Sequence, residues 1–132
     1  MIIQRIPLVS VILLFLLMIV LHIIANLIGL YQTSIVWIDK ILHLLAGSAM
    51  ALFWLWYNQR KEVKTRKEVL YILVFVITLA VVWEIIEFVF SSVFTTYALM
   101  FNIYSPSILE AAVDIVANAV GGLIIILFVK KE

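Results

Sequence analysis

Five of the eight acidic residues of this chain, Asp39, Glu84, Glu87, Glu110 and Asp114, fall within its most apolar stretches or at their ends. Around them stand Lys40, His43 and Asn118. The spacings are helical: Asp39 and His43, Glu84 and Glu87, and Glu110, Asp114 and Asn118 recur at i,i+3 or i,i+4, which puts each set on one face of its helix. Carboxylates and an imidazole on converging faces suit three kinds of chemistry. They can ligate a divalent cation such as Mg²⁺, Mn²⁺ or Zn²⁺, relay protons at depth in a membrane, or receive a cationic ligand group. The candidate metal-ligand set is Asp39, His43, Glu84, Glu87 and Asp114, and the wider candidate cluster adds Lys40, Glu110 and Asn118.

The elements that must position these residues are set by composition. Of 132 residues, 67% are hydrophobic and only 13% charged, and the mean hydropathy is +1.26. Those values identify an integral membrane protein. Apolar runs of at least the ~20 residues that cross a bilayer cover residues 8–30, 35–57, 69–94 and 108–129. The expected architecture is all-α, a four-transmembrane-helix bundle forming a single integral membrane domain over residues 1–132. The first run exceeds the ~7 to 15 residues of a signal-peptide core and no A-x-A site follows, so an uncleaved helix is expected.

Charge sets the expected orientation. The segment 58–68 carries Arg60, Lys61, Lys64, Arg66 and Lys67, whereas the other two connections carry no Lys or Arg. By the positive-inside rule the basic loop is cytoplasmic, and Arg5, Lys130 and Lys131 place both termini on the same side of a cell membrane crossed several times. A basic run of this kind also suits anionic lipid. Trp54, Trp56, Tyr57 and Tyr71 flank the basic loop, and Trp37, Tyr97 and Tyr104 the outer connections, as interfacial anchors do. Pro106 suits the start of the last helix. The formal charge of +1 gives no field for nucleic acid, and the lack of cysteine excludes thiolate chemistry.

At ~1.5 Å per helical residue, Asp39 and Glu110 lie within about two turns of the outer surface, His43, Glu87 and Asp114 about 10 Å down, and Glu84 and Asn118 about 15 Å down. Three segments thus converge on the outer half of the bilayer. Ala46, Gly47, Ser91, Ala111, Ala117, Gly121 and Gly122 lie on or beside the polar stripes and allow close helix approach. The first helix, with His22, Asn26 and Gly29, is expected to be a supporting wall, His22 being a packed residue. A charged side chain at depth costs ~2.5 to 3.5 kcal/mol on insertion scales. Protonated carboxylates, a bound divalent cation or an incoming cationic group can each offset this. Lys40, at the mouth, is free to snorkel outward.

The stretches "DKILHLLAG" (39–47), "WEIIEF" (83–88) and "DIVANAVGG" (114–122) together resemble the YjdF-like (DUF2238-type) small polytopic membrane proteins, and more distantly the VanZ-like proteins. The resemblance covers the second to fourth spans and marks Asp39, Lys40, His43, Gly47, Glu84, Glu87, Asp114, Asn118 and Gly122. Glu110 departs from it, since related sequences favour Asp one turn before the motif aspartate. The VanZ-like proteins are associated with resistance to a lipoglycopeptide antibiotic, and the YjdF-like group carries no activity to transfer. Independently, the second and fourth spans share D-x-x-x-[HN]-x-x-x-G, a pattern consistent with a parallel repeat around a common site.

Three functions fit these residues, and whether the protein is an enzyme stays open. The first is binding of a polar lipid or cell-envelope head group, directly or through a divalent cation. The second is a metal-dependent hydrolase or transferase acting on a lipid, although no H-E-x-x-H signature is present and Ser48 and Ser91 have no adjacent base. The third is a small proton- or cation-coupled carrier, which four helices would favour building as a homodimer.

Overall fold

The computed structural model describes residues 7–32, 37–59, 63–104 and 107–129. Arg5, Arg60, Lys61, Pro106, Lys130 and Lys131 lie outside the described residues. The described residues form five α-helices and no strand: α1 (Leu8–Leu27), α2 (Trp37–Tyr57), α3 (Arg66–Val93), α4 (Thr95–Phe101) and α5 (Ile108–Val129), with a 3-10 turn at Leu30–Gln32. α1, α2, α3 and α5 are long and apolar enough to cross a membrane.

Local chemistry sets the boundaries. α1 ends three residues earlier than residue 30 because Gly29 takes a left-handed conformation, φ 69°, while the Ile28 N–H closes onto Ile24 O. α3 begins at Arg66 rather than residue 69 because Thr65 and Glu68 form a reciprocal capping box. The Thr65 hydroxyl accepts the Glu68 N–H at 3.2 Å, and the Glu68 carboxylate accepts the Thr65 N–H at 3.1 Å. α5 runs over the residues expected from sequence, 108–129, with the Ser107 hydroxyl accepting the Glu110 N–H. The connection after α3 is more ordered than its sequence suggests. Phe94 breaks the helix and α4 follows, ending at Asn102 in the left-handed region, φ 53°.

α2 and α5 form the most extensive helix contact, with α3 packed across both and α1 along α2. Paired contacts rise together along α2 and α5, from Lys40–Asp114 through His43–Asn118 to Ser48–Gly121, so the two helices run parallel. Backbone contact explains their closeness: a Cβ on Gly47 would lie 1.9 Å from Asn118 O, and one on Gly121 would lie 1.9 Å from Leu44 O. The apolar core, Ala51, Leu55, Val63, Ile72, Val76 and Ile126, gathers at the end nearest the basic segment, where the Val63 N–H also bonds Val129 O. The opposite end holds the polar residues.

Candidate functional site

Lys40 and Asp39 come from the first turn of α2, and Glu110 and Asp114 from the first two turns of α5. The Lys40 ammonium turns inward rather than snorkelling out. It donates to Asp39 at 3.0 Å, to Glu110 at 3.1 Å and to Asp114. Asp114 is the most enclosed of the three carboxylates, its side chain 4% exposed against 38% for Asp39 and 39% for Glu110. An internal ammonium thus supplies the charge compensation that a cluster of carboxylates requires in a medium of low polarity.

One turn deeper, the Asn118 amide nitrogen donates to Asp114 O at 2.9 Å and meets His43 Nδ1 at 3.0 Å. Because a carbonyl oxygen only accepts, that contact fixes which end of the Asn118 amide is nitrogen, and His43 Nδ1 must then be the acceptor. The His43 proton therefore sits on Nε2, 3.7 Å from carboxylate oxygens of both Asp39 and Asp114. That separation is too long for a direct hydrogen bond. The other Asn118 atom, Oδ1, is buried with no hydrogen-bond partner among the described residues, in a residue that is 2% exposed.

α3 brings Glu84 and Glu87, both buried, to the same end of the bundle. Glu87 lies within electrostatic reach of Glu84, Asp39 and Asp114. Among the described residues, Asp39, His43 and Asp114 can each offer a ligand atom within 4.8 Å of the others. Glu84 and Glu87 stand outside that group. So the eight candidate residues divide in two: Lys40, Asp39, Glu110, Asp114, His43 and Asn118 are one contiguous network between α2 and α5, and the α3 acids stand apart from it, Glu87 within electrostatic reach.

Beside the network lies a cavity of about 330 Å³, within the usual range for small-molecule sites. Asp39, His43, Glu87 and Asn118 form its polar end, while Phe15, Met18, Ile19, Leu42, Met50 and Trp83 supply apolar wall. α1 furnishes one side and α3 the other, yet among the described residues no packed interface joins these two helices. The cavity fills the gap between them. Asn102 and Ile103, after α4, complete the lining, and Asn102 donates to Asn26 Oδ1 of α1 at 2.6 Å.

The family described as "Predicted membrane protein (DUF2238)" matches residues 3–131. The chain belongs to the DUF2238 family. No curated protein and no solved structure matches it. The protein is therefore a DUF2238 membrane protein with four apolar spans, as the motifs in α2, α3 and α5 suggested.

Some residues in this DUF2238 site were not singled out from sequence. His22, expected to be a packed, hydrogen-bonded residue, does share a 2.7 Å hydrogen bond with the Tyr31 hydroxyl, and it also lines the cavity. Burial first, then the Asp39 and Glu87 carboxylates, raise the Tyr31 hydroxyl well above the ordinary tyrosine value, so it remains a phenol. Trp83 was visible as part of "WEIIEF", but its place in the cavity wall depends on how α3 packs. Asn102 carried no sequence signal beyond the tolerance of Asn for the left-handed conformation.

Proposed function

We propose that this protein binds an amphiphile within the membrane, a polar lipid or cell-envelope precursor, and holds its head group at the Asp39, His43, Glu87 and Asn118 end of the cavity. The observation that carries this reading is the division of one cavity into an apolar wall and a polar end, sited in a gap between α1 and α3. A ligand that arrives in the plane of the bilayer needs such a side entrance, and a water-borne one does not. With the basic segment on the cytoplasmic side, the polar end lies in the outer half of the membrane.

The test is to fill the cavity. Ala46 lines it, and Ala46→Trp places an indole where the chain of the amphiphile would lie. Native mass spectrometry should find lipid retained by the wild-type protein through detergent exchange and lost from A46W, with the thermal transition of the variant still cooperative. Equal retention by both proteins would overturn the reading.

A second reading, a divalent-cation site serving binding or lipid hydrolysis, is supported by the Asp39, His43 and Asp114 ligand atoms. It ranks behind the first on the chemistry of those donors. Lys40 already provides their cation, and the atom that would ligate, His43 Nε2, holds the proton that the Asn118 contact assigns to it. A ligating histidine instead directs its second nitrogen, as a donor, to an acceptor. One equivalent of Mg²⁺, Mn²⁺ or Zn²⁺ in the purified wild-type protein, by elemental analysis, would reverse this ranking.

A further inference from the structure

Resting on the amphiphile reading, we infer that the head group received here is a protonated primary amine. The cavity is lined by two carboxylates, Asp39 and Glu87, and by Asn118, whose Oδ1 is buried and has no hydrogen-bond partner among the described residues. No Lys or Arg lines it among those residues. The nearby ammonium, Lys40, is directed into Asp39, Glu110 and Asp114.

Most other polar groups of the lining have partners, and the His43 Nε2–H is directed toward Asp39 and Asp114 at 3.7 Å. His22 bonds Tyr31, Asn102 bonds Asn26, and His43 Nδ1 accepts from Asn118. Asp39 already shares the Lys40 ammonium, so the acceptors left for a ligand are chiefly the Glu87 carboxylate and Asn118 Oδ1. An unmet buried carbonyl oxygen is costly, and a carboxylate in an apolar wall costs more. An ammonium, with three N–H donors and a positive charge, satisfies both. A phosphate would meet like charge, an alcohol would leave charge uncompensated, and a quaternary ammonium would bring charge without a donor for Asn118 Oδ1.

The same chemistry comes from two sources, an aminolipid such as one with an ethanolamine head group, or a soluble amine entering from the water. Wild-type protein in phosphatidylcholine nanodiscs would be titrated with dodecylamine, dodecyltrimethylammonium, dodecanol and dodecyl phosphate, following thermal stabilisation and tryptophan fluorescence. Phosphatidylethanolamine nanodiscs and free ethanolamine form the two source arms. Dodecylamine should bind at least about tenfold more tightly than each of the other three probes, and Glu87→Gln should lose about that factor.

Equal binding of all four probes would overturn the amine inference and leave the amphiphile reading standing. Binding of none of them, nor of phosphatidylethanolamine, would overturn both. Dodecyltrimethylammonium binding as tightly as dodecylamine would overturn the requirement for N–H donors. Stabilisation by phosphatidylethanolamine but not by ethanolamine assigns a lipid source, and the reverse assigns a soluble one; either supports the amine. The comparison of probes on the wild-type protein does not depend on any variant folding.

Discussion

The ammonium of Lys40 on α2 donates to the carboxylate of Asp114 on α5, so the two most intimately packed helices of the bundle are joined at their polar end by an ion pair. Asp39 and Glu110 complete the shell around the same ammonium. Removing Lys40 leaves three carboxylates facing one another.

Lys40→Met should therefore destabilise the protein by roughly 2–4 kcal/mol, toward the lower end of that range because Asp39 and Glu110 remain partly hydrated. Adding Asp114→Asn should recover much of the loss, since the most enclosed of the stranded charges is then gone. Thermal unfolding of K40M and K40M/D114N, read by circular dichroism, checks this. A double variant less stable than K40M would contradict the account.

Gly47 and Gly121 should not tolerate a methyl group. Each faces backbone of the opposite helix at 1.9 Å from the would-be Cβ, and backbone cannot rotate aside as a side chain can. Gly47→Ala and Gly121→Ala should each cost about 2 kcal/mol or more and shift α2 from α5, loosening the Lys40–Asp114 pair as well. At Gly122 the nearest atom is a Val76 side-chain methyl at 3.3 Å, so Gly122→Ala should be markedly milder. Comparing the three unfolding midpoints tests the difference between backbone and side-chain contact.

Tyr31 predicts an alkaline signature. Its folded-state value is raised, so its contribution to stability is fully present below the unfolded tyrosine value of about 10 and is lost as pH rises through the folded value. Tyrosinate absorbance should show a late-ionising component that disappears in Tyr31→Phe. An identical titration curve for the two proteins would refute the burial of this hydroxyl beside Asp39 and Glu87.

The Asn102–Asn26 bond links the segment after α4 to α1. Asn102→Ala loses the bond and places alanine in the left-handed region, at a combined cost of about 2 kcal/mol. Asn102→Gly loses only the bond. Hydrogen exchange should show faster opening near the C-terminal end of α1 in both variants, with the larger drop in global stability confined to N102A.

Much of the site was legible because helical spacing alone puts Asp39 with His43 and Asp114 with Asn118, and a shared depth brings these faces level. The direction of Lys40 was not legible. Its long stem reaches outward or inward equally well, and only the proximity of α5 decides. The start of α3 could have been read from T-R-K-E at 65–68, whose reciprocal cap gives the helix an additional turn. The end of α1 at Gly29 was hidden inside a run that is apolar without interruption. α4 escaped notice because seven residues are too few for a periodic pattern. The cavity depends on how α1, α2 and α3 are placed around it, a tertiary fact that no local stretch encodes. His22 is packed and hydrogen-bonded as its own helix suggests, but only the fold gives it a share in the same cavity lining as Glu87 and Asn118.

The pairing of α2 with α5 also governs how the chain is made. α2 is the least apolar of the four spans, with a hydropathy of 1.4, and it leaves the ribosome before α5 does. During that interval the nascent helix must hold Asp39, Lys40 and His43 without the partner that later satisfies them. The adjacent Asp39 and Lys40 side chains, 3.0 Å apart in the finished protein, let it carry a temporary internal neutralisation while it waits beside the insertion machinery. A chain truncated before α5 is then left with the polar face of α2 lacking the Asp114 and Asn118 partners that complete it.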